Sequence, residues 1–389
     1  MRYRKLGKTN VETSVLGFGA MRLPMVGAHG PMSGFDPNIP IDEVEAARMF
    51  HHALDQGINY FDTAYGYHGG KSETFVGKML RDHRSKVMIA TKLPVWNLEK
   101  PEDLERIFNE QLQKLQTEYL DVYLVHGLGA KNWEKAKSLG VVEFMDKLVS
   151  DGRIRFAGFS FHDEIKVFKE IVDAYEWSVC QIQFNFYDQD YQAGREGLAY
   201  AAARDIGVIA MEPLRGGKIV DRIPDEVQAI WDAAPSRKSA VEWAMRWVWN
   251  FEGVSTVLTG ASSLEQLKEN TQIVKDAAID SLSPAELAVF DRVREAYRKM
   301  LRVDCTGCGY CMKCPSGVNI PQSFSMYNDA YLFHSIEQNA FFYGSFLTPD
   351  ERASSCTDCG ECIEKCPQKI IIPEELKKVR DLFEKKEAQ

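Results

Sequence analysis

No cysteine precedes Cys180, and eight of the nine fall after residue 300. So long a cysteine-free stretch excludes a secreted disulfide scaffold, in which cysteines are spread along a short chain. No apolar run reaches the roughly 20 residues that a membrane-spanning helix requires. The opening MRYRKLGKTNVETSV has neither an apolar core nor a cleavage-site pattern, so no signal peptide is expected and the expected compartment is the cytoplasm. Positive charge is not in excess. Forty-seven Lys and Arg against 56 Asp and Glu give a formal charge of −9, which argues against a nucleic-acid partner, because phosphate binding needs a basic surface. With 45% hydrophobic and 26% charged residues, the composition is that of a globular protein with no membrane partner.

What the chain does have is alternation. Apolar runs recur at 15–19, 59–64, 87–93, 121–127, 156–161, 180–186, 207–213 and 255–261, separated by amphipathic segments such as IDEVEAARMFHHALDQG. Short continuous apolar runs are strands buried on both faces, as in a parallel sheet. Eight of them alternating with helices predict an α/β protein of the (β/α)₈ TIM-barrel type, with a doubly wound open sheet as the rival. RYRKLGKTN is expected to form a hairpin closing the bottom of the barrel. Domain boundaries are expected at 1–300 for the barrel and 301–389 for a second, mainly helical domain ending in a charged tail.

The second domain carries the cysteines, in CTGCGYCMKCPSGVNIP (305–321) and CTDCGECIEKCPQKIIIP (356–373), a two-fold internal repeat. Cys356-x₂-Cys359-x₂-Cys362-x₃-Cys366-Pro is the spacing of bacterial ferredoxins; the first run, Cys305, Cys308, Cys311 and Cys314-Pro315, has one residue fewer before its last cysteine. Three close thiolates hold three corners of a [4Fe–4S] cubane, and the fourth ligates the partner cluster. The expected sets are therefore Cys305, Cys308, Cys311 and Cys366 for one cluster, and Cys314, Cys356, Cys359 and Cys362 for the other. Zinc is the competing use of such cysteines, although zinc sites usually pair two C-x₂-C knuckles. The long aromatic-rich gap favours an α-helical ferredoxin-like arrangement. Cys180, on a strand, is most simply a buried hydrophobe.

In the barrel, Asp62 and Tyr67 follow the second strand, Lys92 ends the third and His126 the fourth, where barrel active sites collect. With RKLGKTN, FDTAxxY, TK, LVH, GFS and GASSLEQLKEN in this order, the chain from its N-terminus through Asn270 resembles the aldo/keto reductase family. The resemblance implies that Tyr67 is the proton donor, or the base in alcohol oxidation. Lys92 would lower its pKa, Asp62 would orient Lys92, and His126 would fix the substrate oxygen. Tyr65 is the alternative aromatic.

The resemblance further implies NAD(P)H. Ser160 and Gln181 would hold the nicotinamide, with Phe161 and Met211 in place of the family's usual asparagine and tyrosine. Leu214, Arg215, Gly216, Gly217 and Lys218 would cradle the pyrophosphate, Gly260, Ala261 and Ser262 the adenosine end, and Asn270 the adenine. Gln266 stands where NADP-preferring relatives carry arginine. FMN is compatible with the altered platform. Three functions follow: a nicotinamide-dependent reductase of a small carbonyl, or dehydrogenase of the alcohol; a reductase fed through the clusters by a ferredoxin or other redox protein; and a non-enzymatic electron carrier or redox sensor. The substrate pocket is expected from loops 22–40 and 127–133.

Overall fold

The computed structural model describes residues 1–27, 39–221 and 223–384. Residues 28–38, within the loop expected to shape the substrate pocket, and the end of the tail lie outside the described residues. A two-stranded antiparallel hairpin opens the chain, β1 (Tyr3–Lys5) with β2 (Glu12–Ser14). Its turn meets the start of the seventh barrel strand, where Lys8 N donates to Asp205 O at 2.6 Å, so it closes the end from which the barrel strands set out.

Eight parallel strands follow and close on themselves: β3 (Leu16–Gly19), β4 (Tyr60–Asp62), β5 (Met88–Leu93), β6 (Leu120–Leu128), β7 (Ile154–Phe161), β8 (Val179–Gln183), β9 (Gly207–Met211) and β10 (Val254–Thr259), which returns to β3. Each apolar run of the sequence became one strand. The rival open sheet is excluded by the β10–β3 pairing, Val257 opposite Leu16 and Thr259 opposite Phe18.

Strand alternation determines what faces the barrel axis. Tyr60, Met88, Ala90, Val122, Leu124, Val179, Ile209 and Leu258 form a dry plug with Leu6 beneath it. Two residues further along three of these strands stand Asp62, Lys92 and His126, on the same inward face and one layer above the plug. The intervening residues point outward into the helix layer: Phe61 onto Phe50, Tyr123 onto Phe108, Phe159 onto Phe168. Cys180 is fully buried, and burial raises its thiol pKa, as a packed hydrophobe requires.

By packing, the chain falls into two compact units. One holds Met1–Val220 with Lys238–Ser283, the other Asp221–Arg237 with everything from Pro284 onward. In the second unit, helix Pro284–Lys299 packs Phe290 against Trp231 at 5.4 Å between ring centroids. Helices Ile320–Leu332, Ile336–Phe346 and Ile372–Phe383 surround a small core of Val303, Val318, Phe324, Tyr327, Tyr343 and Leu376, against which five of the eight clustered cysteines partly pack.

Candidate functional site

Lys92 is the centre of the barrel site. It is 1% exposed, and its Nζ donates to Asp62 Oδ1 at 2.6 Å and to the Thr63 carbonyl at 2.7 Å. The same Nζ stands 5.1 Å from the centre of the Tyr67 ring, which meets the His126 ring nearly edge-on at 6.1 Å. The four expected residues are thus brought together. Tyr65 is not among them: its hydroxyl donates to Glu110 Oε2 at 3.0 Å, away from Lys92.

Burial, the largest influence on Lys92, pulls its pKa down, but Asp62 and Tyr67 together lift it above the ordinary lysine value, so the cation is kept. Burial pushes Asp62 up against the pull of Lys92. Burial also dominates at Tyr67 and raises its phenol, with Lys92 opposing. The expected lowering by Lys92 is present but does not prevail, so Tyr67 carries its proton at neutral pH. His126 is held well below the ordinary imidazole value, first by burial and then by Lys92 and His162, so it is neutral. His126 Nδ1, Asp62 Oδ2 and Gln181 Oε1 are buried with no hydrogen-bond partner among the described residues. Trp96, at a ring distance of 4.7 Å, flanks His126.

Next to Tyr67, His68 is buried in the left-handed region at φ 53°. Its Nε2 accepts from Leu23 N, and burial lowers its pKa to about 4. Because the folded value lies below the unfolded one, the unfolded chain takes up the proton first as pH falls. Stability is complete above ~6.5, declines by about 1.4 kcal/mol per pH unit below it, and the loss is complete below about 4. Chemical unfolding of the barrel at pH 7.5 and 5.5 is expected to show this slope, and His68→Gln to reduce it. An unchanged slope in the variant would remove His68 as its source.

On the opposite rim, Ser160 Oγ accepts from Gly127 N at 2.8 Å, and Gln181 reaches the side of Asp62. Phe161 corrects its expectation as part of the nicotinamide platform. Strand alternation turns it outward onto Phe168 at 5.1 Å, and it is wholly buried there. Met211, half-buried, packs against the plug. Leu214 caps a short turn, Arg215–Gly217, in which Arg215, Gly216 and Gly217 all have positive φ, as Glu212 does before it. Lys218 follows it. Arg215 Nε donates to Asp188 Oδ2 at 2.7 Å.

Gly260, Ala261 and Ser262 lead into helix Leu264–Ile273. Gln266 Oε1 turns back to accept from Ser262 N at 2.9 Å, and Asn270 Nδ2 donates to Thr259 Oγ1 at 2.8 Å. One residue missed in the sequence joins these loops. A Cβ on Gly216 would meet an Arg22 guanidinium nitrogen at 2.9 Å, and one on Gly260 would meet Arg22 Cδ at 3.5 Å. Burial lowers the Arg22 pKa, while Glu212 raises it. Only the turn after β3 placed it there, and no motif marked it.

In the second unit the cysteine repeat is also a backbone repeat. Gly307 and Asp358 have φ of 70° and 61°, Gly309 and Gly360 of 73° and 77°, and Gly317 and Lys369 of 78° and 54°. Cys305, Cys308, Cys311 and Cys366 line one cavity, together with Tyr310, Phe324 and Ile372. Cys314, Cys356, Cys359 and Cys362 line another, with Cys311 and Ile320 shared between the two. Proximity follows the same crossed grouping. After burial, Cys308 and Cys366 raise the Cys305 thiol, Cys356, Cys314 and Cys359 raise Cys362, and Cys311, which lines both cavities, is raised by Cys305, Cys308 and Cys362. Among the described residues no three His, Cys, Asp or Glu side chains close on one point as a single-ion site does; the sulfurs ring cavities instead. An all-sulfur donor set around each cavity fits an iron–sulfur cubane.

Residues 15–294 match the sequence model of the aldo/keto reductase family. The chain belongs to that family. Residues 304–371 match a 4Fe-4S dicluster domain. L-galactose dehydrogenase of Arabidopsis thaliana is 26% identical over 321 residues, 76% of this chain and 95% of that protein. A methylglyoxal reductase of Escherichia coli is 26% identical over 299 residues, 74% of this chain and 96% of that protein. The holo form of an aldo-keto reductase from Bacillus halodurans superposes with a TM-score of 0.62 at 26% identity, covering 75% of this chain and 96% of that one.

The chain is therefore an aldo/keto reductase-family oxidoreductase with a dicluster iron–sulfur domain. Its barrel also fits a dinucleotide: Gly216 and Gly260 leave backbone bare beside Arg22, and Gln181 Oε1, near Asp62, is a buried acceptor without a partner among the described residues. Among the described residues no helix is long and apolar enough to cross a membrane.

Proposed function

We propose that the barrel reduces a small aldehyde or ketone, or oxidises the corresponding alcohol, and that the carboxy-terminal cysteines hold two [4Fe–4S] clusters. The observation that carries the first part is the placement of Lys92: one buried ammonium that binds Asp62 at 2.6 Å and faces the Tyr67 ring beside His126. A bound NAD(P)H supplies the hydride. Tyr67 donates its phenolic proton to the oxygen of the reduced carbonyl. Lys92 steadies the phenolate left behind, and Asp62 holds Lys92 in place. Neutral His126 donates an N–H to the substrate oxygen and sets its direction. Trp96 supplies an apolar wall beside it.

Ser160, Gln181 and Met211 would border the nicotinamide, and Leu214, Gly216, Gly217, Lys218 and Arg22 the phosphates. Gly260, Ala261, Ser262, Gln266 and Asn270 would border the adenosine end. Residues 1–300 carry this chemistry and 301–389 the clusters, in a reducing compartment, the cytoplasm, that keeps the thiols available as ligands.

The experiment is anaerobic purification, followed by iron, sulfide and released-cofactor analysis and a rate measurement with NADH or NADPH and small aldehydes, methylglyoxal included. Turnover with about eight iron and eight sulfide per chain supports the reading. Zinc without sulfide, or no turnover with any carbonyl, sinks it. The two cysteine-ringed cavities favour one variant: a ferredoxin or similar carrier feeds electrons to the clusters, and FMN mediates between one-electron and hydride chemistry. Release of FMN by acid would select it.

Cofactor choice is a separate prediction. The Gln266 amide is uncharged and bonded to its own helix turn, so it gives a 2′-phosphate no ion pair. Lacking a charge-assisted contact worth about 1.5–3 kcal/mol, the barrel is expected to prefer NADPH over NADH by less than about a hundredfold. Paired Kd titrations measure this. A larger preference would assign the phosphate to another cation.

A further inference from the structure

We infer that the two cluster cavities are unequal, and that an added electron rests first in the one ringed by Cys314, Cys356, Cys359 and Cys362, because Lys313 and Lys365 line it while, among the described residues, no charged side chain lines the other. This rests on the proposed cysteine ligation. The lining of the first-run cavity is Thr306, Tyr310, Ile320, Phe324, Gln368, Ile370 and Ile372 around its four cysteines, neutral throughout. The second-run cavity has Lys313, Lys365 and Glu361 in its wall, a net of one positive charge. Glu361 sits 3.6 Å from Lys365 and offsets part of it, and Asp358, next to Cys359, shares Lys377 with Glu374, at 2.9 and 2.8 Å. Among the described residues, Lys313 is a cation of that wall with no ion pair.

Carboxylates stand near both cavities, Glu361 and Asp358 at the second-run one and Asp304 at the first, so the difference rests on the two lysines. Asp304 adjoins Cys305 in the chain and adds its negative charge beside the first-run cavity. Adding one electron to a thiolate-bound cubane adds one negative charge. Local net charge is one of the determinants of its potential, together with exposure and hydrogen bonds to sulfur. A neutral, apolar wall with a carboxylate beside it disfavours that charge, and a wall with an ammonium favours it. Because Cys311 and Ile320 line both cavities, one layer of side chain separates them, and an electron delivered by a one-electron carrier can settle on the favoured side.

The test is an anaerobic potentiometric titration of the full-length, cluster-loaded protein, followed by electron paramagnetic resonance. Two one-electron waves are expected, at least tenfold apart in electron affinity, which is about 59 mV. Lys313→Gln with Lys365→Gln should move the upper wave down toward the lower and leave the lower in place, with Lys313→Arg and Lys365→Arg restoring it. Asp304→Asn, at an exposed position, should move the lower wave up alone. Where the lysine variants fail to assemble, Asp304→Asn decides. Coincident waves in the unaltered protein, or a shift of the upper wave by Asp304→Asn, overturns the inference. Absence of iron and sulfide would instead overturn the ligation on which it rests.

Discussion

Tyr67→Phe is expected to lower kcat for carbonyl reduction by about 10²–10⁴-fold, the contribution of general acid catalysis, while leaving the fold intact. The substitution removes one oxygen from a half-buried ring that, among the described residues, no main-chain hydrogen bond holds through that atom. The protein raises the phenol pKa through burial, so the proton is present to be given at neutral pH. Lys92→Met should be about as damaging, and the double variant no worse than either single one, since lysine acts through the tyrosine. The lysine variant carries a second cost. It leaves the Asp62 carboxylate buried without its counter-charge, and breaking such a pair from one side destabilises by about 3–5 kcal/mol. Unfolding must therefore be measured beside the rates, and Tyr67→Phe is the cleaner probe. Full turnover in Tyr67→Phe would remove the proton-donor role and favour the electron-transfer reading of the chain.

Much of the barrel was legible because burial on both faces leaves strands as unbroken apolar runs, and a parallel strand has no other way to be satisfied. The tetrad was legible for a related reason. Asp62, Lys92 and His126 are ionisable groups at the ends of apolar runs, where the inward face leaves the dry plug for the mouth. What was not legible is direction and reach. Phe161 occupies the position after Ser160 that suggested a nicotinamide platform, but a period of two turns it into the helix layer, and only the pairing register shows which side it takes. Arg22 has no motif, because its role comes from the approach of two loops almost 200 residues or more further along the chain. Gln266 could be seen to lack charge, but not that its amide closes on Ser262.

Buried support for Lys92 was equally invisible. Glu73 Oε1 accepts from Thr91 and from Gln111, each at 2.6 Å, and Gln111 also donates to the Lys92 carbonyl at 3.0 Å. Helices 72–80 and 102–115 thereby grip the strand that carries the lysine. None of these residues stands in a spacing that chemistry demands; they meet only because the barrel is closed.

Cys366→Ser should remove the cluster that the first cysteine run holds and spare the one next to Cys366 in sequence. Iron should fall from about eight to about four per chain, a result opposite to what chain proximity suggests. The geometry behind this expectation is the lining of the cavities. Cys366 shares its cavity with Cys305, Cys308 and Cys311, and Cys314 shares the other with Cys356, Cys359 and Cys362. The crossing arises because each run wraps three sulfurs around a left-handed turn at Gly309 or Gly360 and then ends in Cys-Pro, whose backbone leads away from its own cavity. In the second run the extra residue forms a short helix, Glu361–Lys365, between Cys359 and Cys366, where the first run has only the turn Tyr310–Met312. Both lengths deliver the last cysteine to the neighbour, so the difference in spacing does not alter the crossing. Cys314→Ser should do the converse and remove the second-run cluster. The two variants are told apart by Lys313→Gln introduced into each: only the protein retaining the second-run cluster, the Cys366→Ser background, should show its remaining wave move down. If Cys366→Ser removes the wave that responds to the lysine and keeps the one that responds to Asp304, each run closes its own cluster and the crossed assignment is wrong.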